Sequence, residues 1–320
     1  MVRALYACIV FLTATLSVPL ASAANLKPVT KCDRACLDAI TDEYIDGLIH
    51  KDPSRVPFAD HVMYTENNVV LEMGDGLWGT ITGMSAPVVR LADPDTGQTA
   101  YFAAVHEHDT PSFFVVRLKI ADRQITEVET LVSRKGFLGI GPYGDPDKWT
   151  PAPNFAKDVP VDKRRPRARM ISIADGYFDT LQLNDGTLFT QFAKGCNRRE
   201  NGLQMTNVKD PETGKLRPDC GDQFKLGTFR FDDRLRARRF PLIDEEKGVV
   251  LASAFIDHAG TIGTYKLTDG TTTEAPTHFP HTYYLMEAFK IADGAIAQIE
   301  AAFITVPYNM RSPWTHRRDH

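Results

Sequence analysis

One passage occurs twice in this chain. Residues 113–129 read FFVVRLKIADRQITEVE, and residues 283–300 read YYLMEAFKIADGAIAQIE. A duplicated unit constrains a fold more than composition does, because whatever one copy forms the other must form too. The correspondence extends upstream. DEYIDGLIHKD (42–52) is answered by DGYFDTLQLND (175–185), with Tyr44, Asp46 and Asp52 matched to Tyr177, Asp179 and Asp185 at one constant offset. YTENN (64–68) is answered by RRENG (198–202), and GDGLWGT (74–80) by GDQFKLGT (221–228), where Lys225 or Leu226 takes the place of Trp78. DPDTGQTAYFAAVHE (93–107) is answered by DEEKGVVLASAFIDH (244–258). The order never breaks and the offsets grow only at loops. Two units of about a hundred residues or more make a duplication and not a solenoid.

The reading divides the chain into four parts: a signal peptide over 1–23, a first domain over 31–135, a linker over 136–168 and a second domain over 169–320. Arg3, the apolar run from Ala4 to Leu20 and the small residues Ala21–Ala23 have the form of a secretory signal, with cleavage expected after Ala23 and an uncleaved anchor as the rival. Cys8 would leave with it. A periplasmic or secreted location follows, and no later apolar run is long enough to cross a bilayer. That compartment allows Cys32, Cys36, Cys196 and Cys220 to oxidise. Four cysteines permit three pairings; Cys32–Cys36 with Cys196–Cys220 is preferred because each pair then stays within one domain. A zinc site is the alternative, but no C-x-x-C pair or nearby histidine completes a ligand set. Net charge is −4, and the basic runs DKRRPRAR (162–169) and HRRDH (316–320) are short, so neither a nucleic-acid nor a membrane partner is expected. The linker is rich in Pro and Gly but carries Phe137, Leu138, Tyr143, Trp149 and Phe155, which suit packing across a surface.

Each unit opens with a helical pattern, Ile40, Tyr44, Ile45 and Leu48 in the first and Ile173, Tyr177, Phe178 and Leu181 in the second. Strand-like segments rich in β-branched and aromatic residues follow, and IADRQ (120–124) and IADGA (291–295) are tight hairpin reversals. One helix followed by antiparallel strands is α+β. YIDGL, PFADHVMYTENN and the closing hairpin VVRLKIADRQITEVETLV together resemble the nuclear-transport-factor-2-like, SnoaL-like (cystatin-like) superfamily. FKIADGAIAQIE fits that family's closing hairpin, and LKIADRQITEVE departs from it at Arg123. The resemblance implies two cones, each a curved sheet wrapped around its helix with a pocket at the open end. It also implies an internal pseudo-dimer, monomeric or itself paired, with cofactor-free isomerases, dehydratases, cyclases and lyases as precedents, some acting on lignin-derived aromatic dimers. Plain binding or assembly modules share the fold, so the fold alone does not settle activity.

Ionisable groups against apolar walls are what such a pocket would use. Glu66 and Glu200 occupy equivalent positions. Glu200 is a candidate base, with Arg198 on the same face holding an anionic oxygen; the alternative is that Glu-Asn shapes a turn and caps a neighbouring element. Neighbouring strand residues face opposite ways, so Glu200 and Asn201 cannot both point into one cavity. THFPHTYYLMEAF (277–289) is the densest cluster. In it His281 is a candidate proton shuttle and Tyr284 an oxygen-binding or protonating group, with Tyr283 and Glu287 on the other face; the alternative is a strand entry with surface histidines and core tyrosines. His278 with His281 as metal ligands is a weaker reading. His106 and His108 share a strand phase. Arg117, inside an apolar strand, is either a buried anion clamp or the snorkelling rim of a sheet. The arginines of FRFDDRLRARRF (229–240) read as a solvated face, with part of an anionic-substrate entrance as the alternative. No P-loop, dinucleotide fingerprint, G-x-S-x-G elbow or H-E-x-x-H occurs. The expectation is a small-molecule lyase, dehydratase or isomerase needing neither cofactor nor metal, with a binding module as the alternative.

Overall fold

The computed structural model describes residues 31–136, 141–211 and 213–315. The signal-peptide residues, the linker residues Phe137 and Leu138, and HRRDH lie outside them. In the first unit, helix α1 (Arg34–His50) precedes β1 (Phe58–Glu66), β2 (Val69–Val70), a short helix α2 (Leu77–Thr80), β3 (Gly83–Met84), β4 (Val89–Asp93), β5 (Gln98–Glu107), β6 (Thr110–Ala121) and β7 (Gln124–Arg134). The second unit repeats this order: α3 (Arg167–Leu183), β8 (Phe192–Glu200), β9 (Leu203–Gln204), α4 (Cys220–Leu226), β10 (Arg234–Asp244) and β11 (Val249–His258). A small ribbon, β12 (Thr264–Lys266) with β13 (Thr272–Glu274), is inserted before β14 (His281–Ala292) and β15 (Ala295–Val306). Among the described residues no helix is long and apolar enough to cross a membrane.

Both units are the curved α+β cones that the sequence resembles. The first sheet runs β2-β1-β7-β6-β5-β3 with β4 also on β5, and the second runs β10-β11-β14-β15-β8-β9. In each, the strand after the helix pairs parallel with the last strand, β1 with β7 and β8 with β15, while the other pairings are antiparallel. Asp33 caps α1 by accepting the Cys36 amide, and the apolar stripe of that helix, Ile40, Tyr44, Ile45 and Leu48, is buried against its own sheet. Asn184 ends α3 in the left-handed region at φ 42°, which its short polar side chain tolerates. The repeated Lys-Ile-Ala-Asp phrase is the β6–β7 and β14–β15 reversal. Asp122 and Arg123 have φ 50° and 64°, and Asp293 and Gly294 have φ 50° and 82°, the two positive values that a tight two-residue hairpin requires.

The cysteines pair as Cys32–Cys36 and Cys196–Cys220. The second bridge ties β8 to the start of α4 across 24 positions. Replacing Cys196 and Cys220 together by serine is expected to cost about 3 kcal/mol, measured by urea unfolding.

The two sheets pack face to face through one shared apolar layer. Phe102, Phe113, Val115 and Leu131 from the first meet Leu251, Phe255, Met286 and Ala302 from the second, and Trp149 and Phe155 of the linker fill the same layer. Two ion pairs cross reciprocally. Arg34, which opens α1, reaches Asp244 at 2.6 Å, and Arg167, which opens α3, reaches Asp93 at 2.7 Å. Each aspartate also accepts a backbone amide of the opposite unit, Asp244 from Ala92 and Asp93 from Ile243. Glu129, at the end of the first repeated phrase, lies buried between the sheets. It accepts from Arg117 Nε (2.8 Å), from the Tyr284 hydroxyl (2.8 Å) and from Arg239. Trp314 covers both arginines, its ring 4.8 Å from the Arg117 guanidinium and 5.7 Å from that of Arg239. Glu300, its counterpart, accepts from Trp149 Nε1 at 2.8 Å.

Two expectations change here. Arg117 is no rim residue: it is 2% exposed and ion-paired with Glu127 and Glu129, because its strand phase faces the other sheet and not water. Of the arginines after Phe229, Arg234 is solvated as expected, while Arg236, Arg238 and Arg239 are drawn into largely covered ion pairs. Arg234 and Arg236 pair with Asp257, Arg238 with Asp175 and Asp179, and Arg239 with Glu129.

Candidate functional site

The inside of the second cone holds a cavity of about 270 Å³, at the lower edge of ordinary small-molecule sites (roughly 300–1,000 Å³). Its walls include Leu181, Phe229, Phe231, Ile256, Leu285 and Phe303, with Gly141 and Pro142 of the linker against one side. Its polar lining is Tyr177, Arg198, Glu200, Asp232, His258, Tyr283 and Glu287.

Strand phase explains how they meet. Arg198 and Glu200 are two apart on β8, and Tyr283, Leu285 and Glu287 are alternate residues of β14, so each set points inward. Arg198 Nε lies 2.8 Å from Glu200 Oε1, and its Nη2 donates to Gln223 Oε1 at 2.8 Å. The guanidinium also lies over the rings of Phe229 (4.8 Å) and Phe224 (5.5 Å). Burial raises the Glu200 carboxyl above its usual range, opposed by Arg198. Glu287 is 3% exposed. Burial, reinforced by the nearby Glu200 charge, pushes it up to about 8, so it carries its proton at neutral pH.

A second polar group comes from β11 and the loop before β10. Asp232 Oδ1 lies 2.7 Å from His258 Nε2. Burial raises Asp232, and His258 opposes the rise. His258 Nδ1 is buried with no hydrogen-bond partner. The His258 ring stacks on His281, centroids 4.4 Å apart and planes 7° apart. His258 opposes His281 in the β11–β14 register, and Glu287 lies six positions along β14. His258 and Glu287 therefore line the cavity from points six residues apart along the β14 register.

The other residues singled out in the sequence distribute as follows. His281 stands behind His258, its Nδ1 2.7 Å from the Phe279 carbonyl, and burial lowers its pKa. Tyr284 points away from the cavity to Glu129 in the inter-sheet layer; the alternation was legible, but the inward face is that of Tyr283 and Glu287. Asn201 is buried under the turn after β8, exchanging hydrogen bonds with Phe303 N and O. Asn67 does the same with Val132 in the first unit. Glu66 accepts the Leu77 amide at 2.6 Å, so it caps α2, and pairs with Arg134 at 3.0 Å. His106 lies 2.7 Å from Asp147 near the surface, and Arg117 belongs to the inter-sheet cluster. His278 and His281 do not form part of a metal-binding group: among the described residues, no three or more His, Cys, Asp or Glu side chains are placed to hold a metal ion.

The first cone is built differently at the same positions. By strand register Tyr64 stands where Arg198 stands, and in the sequence match Val116 stands for Glu287. Trp78 is 1% exposed and packs edge-on against Tyr44 at 5.6 Å. Its counterpart is Phe224, edge-on to Tyr177 at 5.2 Å, and not Lys225 or Leu226. The sequence comparison missed this because α4 is longer than α2. It also passed over Asp232 and His258, which come from distant segments. The alternating Phe229, Phe231 and the adjoining Asp232 were the available signal.

A family model described as "Domain of unknown function (DUF8021)" matches residues 30–132 and 163–303. No curated protein matches the chain. Among solved structures, the chain is similar to a protein of unknown function with a cystatin-like fold from Methylobium petroleophilum PM1, at 13% identity over 35% of this chain and 85% of that one, with TM-score 0.29. It is also similar to an M. tuberculosis LEH-like epoxide hydrolase (13% identity, 43% and 84%, TM-score 0.24). A de novo designed protein with a curved β-sheet is a third (13% identity, 32% and 88%, TM-score 0.27). The assignment of the cones rests on their sheet order and register.

Proposed function

The chain belongs to the DUF8021 family, and from its second cone we propose an exported acid–base catalyst, a lyase, dehydratase or isomerase that acts on one small, mostly apolar molecule without a cofactor. The observation that carries this reading is a protonated carboxyl, Glu287, and an Asp232–His258 pair lining one largely apolar cavity. Environments that separate a proton donor from a proton acceptor are what acid–base catalysis at neutral pH needs. In the proposed step the Asp232–His258 pair takes a proton from the substrate, and Glu287 gives its proton to the substrate oxygen. The Arg198–Glu200 pair fixes the charge between them. Export is supported by the two disulfides. The aromatic walls favour a ring-bearing substrate, and the cavity volume favours one compact molecule over a polymer.

Incubation in D2O with small enones, β-hydroxy ketones and hydroxylated aromatic compounds tests the proposal, with deuterium uptake or loss of water followed by NMR and mass spectrometry. Turnover that survives unchanged in both Asp232→Asn and Glu287→Gln removes this site from the chemistry. Saturable binding without exchange or turnover favours the binding-module reading.

A further inference from the structure

We propose that the ligand of the second cone carries a protonated amine on a compact aromatic or apolar body. This rests on the pocket reading above and names the substrate class that the pocket selects. The argument is one of charge. Glu200, Asp232 and Glu287 line the cavity against one arginine and one histidine. Arg198 is already engaged by Glu200, by Gln223 and by the faces of Phe224 and Phe229, and His258 is engaged by Asp232. A carboxylate ligand would enter beside three carboxyl groups with no uncommitted cation among the described lining residues. An anion left without a counter-charge is costly in a space of low polarity.

An ammonium group meets the opposite situation. All three carboxyls are held above their usual range, with burial the largest cause in each case, so the empty cavity disfavours their charge. A bound cation offsets that cost: Glu200 and Asp232 face it as counter-charges, and Glu287 keeps the proton that the catalytic step uses. The aromatic walls, Phe229, Phe231, Tyr283 and Phe303, offer negative ring faces to a cation as well as hydrophobic area. An organic cation suits this lining better than a metal ion, whose ligands would have to converge.

The test is calorimetry of the full chain at pH 7 with three probes of one shape: phenethylamine, phenethyl alcohol and phenylacetate. Phenethylamine is expected to bind about tenfold or more tighter than the alcohol, with phenylacetate weakest. Asp232→Asn is expected to weaken phenethylamine binding about tenfold while phenethyl alcohol binds nearly as before. Equal binding of amine and alcohol, tighter binding of phenylacetate, or binding of none of the three overturns the inference. Its failure is distinct from that of the catalytic reading. Exchange on neutral carbonyl compounds without ammonium binding leaves the acid–base site standing, and ammonium binding without turnover leaves the amine site standing.

Discussion

Glu287→Gln is expected to lower the rate of catalysed proton transfer by about 10²–10⁴-fold while the protein stays folded. Glutamine keeps the shape and a hydrogen bond to the neighbouring Tyr177 but has no proton to give. The same substitution has a signature in stability. In the folded chain Glu287 holds its proton up to about pH 8, whereas its ordinary value is 4.5. Between those values the folded state binds a proton that the unfolded state has lost, so stability falls as pH rises through the window and levels off above about 8. Each pH unit of that window corresponds to about 1.4 kcal/mol at most. The variant lacks this slope and should gain on the wild type at pH 9 relative to pH 5. Urea unfolding at those two pH values measures the difference, and a wild type equally stable at both would show that Glu287 is ionised throughout. The pH–rate profile carries the matching limb, with activity falling above pH 8 as the acid form is lost.

Glu129→Ala is expected to destabilise the protein by about 3–5 kcal/mol without touching the pocket. Its carboxylate is the shared partner of Arg117, Arg239 and Tyr284, all buried or half-buried between the sheets. Alanine would leave the Tyr284 hydroxyl without its acceptor, Arg239 with Ser253 and Arg117 with Glu127 and Gln98. The pH dependence has the opposite sign to that of Glu287. The two arginines hold the Glu129 carboxyl below its ordinary value despite burial. Its contribution is therefore present above about 4.5 and is lost as pH falls through the lower folded value. The wild type should lose its advantage over the variant only in strong acid. Thermal unfolding at pH 7 and pH 3 checks both statements, and a loss under 1 kcal/mol at pH 7 would mean the cluster is not held as described.

These two glutamates also show what the sequence made legible. The duplication, the opening helices and the hairpins were readable because periodicity and turn chemistry are local. Ile40, Tyr44 and Leu48 mark a buried stripe wherever the helix docks, and an Asp in a two-residue reversal needs no knowledge of the rest. Arg198, Glu200 and Glu287 could be suspected because they are polar residues where the other copy has Tyr64 or Val116, or a repeated acid. The choice between Tyr283 and Tyr284 was not legible. Alternation says that two neighbours face opposite ways, but when both faces of a sheet are buried, one on its own helix and one on a second sheet, hydrophobicity does not say which is which. Asp232 and His258 were out of reach for a different reason: they stand 26 positions apart by their numbering, and only the fold brings them together.

The reciprocal pairing of Arg34 with Asp244 and Arg167 with Asp93 has a consequence for how such a protein can change. In a dimer of identical chains every substitution appears on both sides of the axis, and dilution can separate the halves. Here the halves share one backbone, so their association does not depend on concentration and each side mutates alone. One cone can spend its interior on Trp78 and Tyr64 as a rigid support while the other trades packing for buried charge. The asymmetry of the pocket is thus a freedom that the covalent joining of two like halves confers.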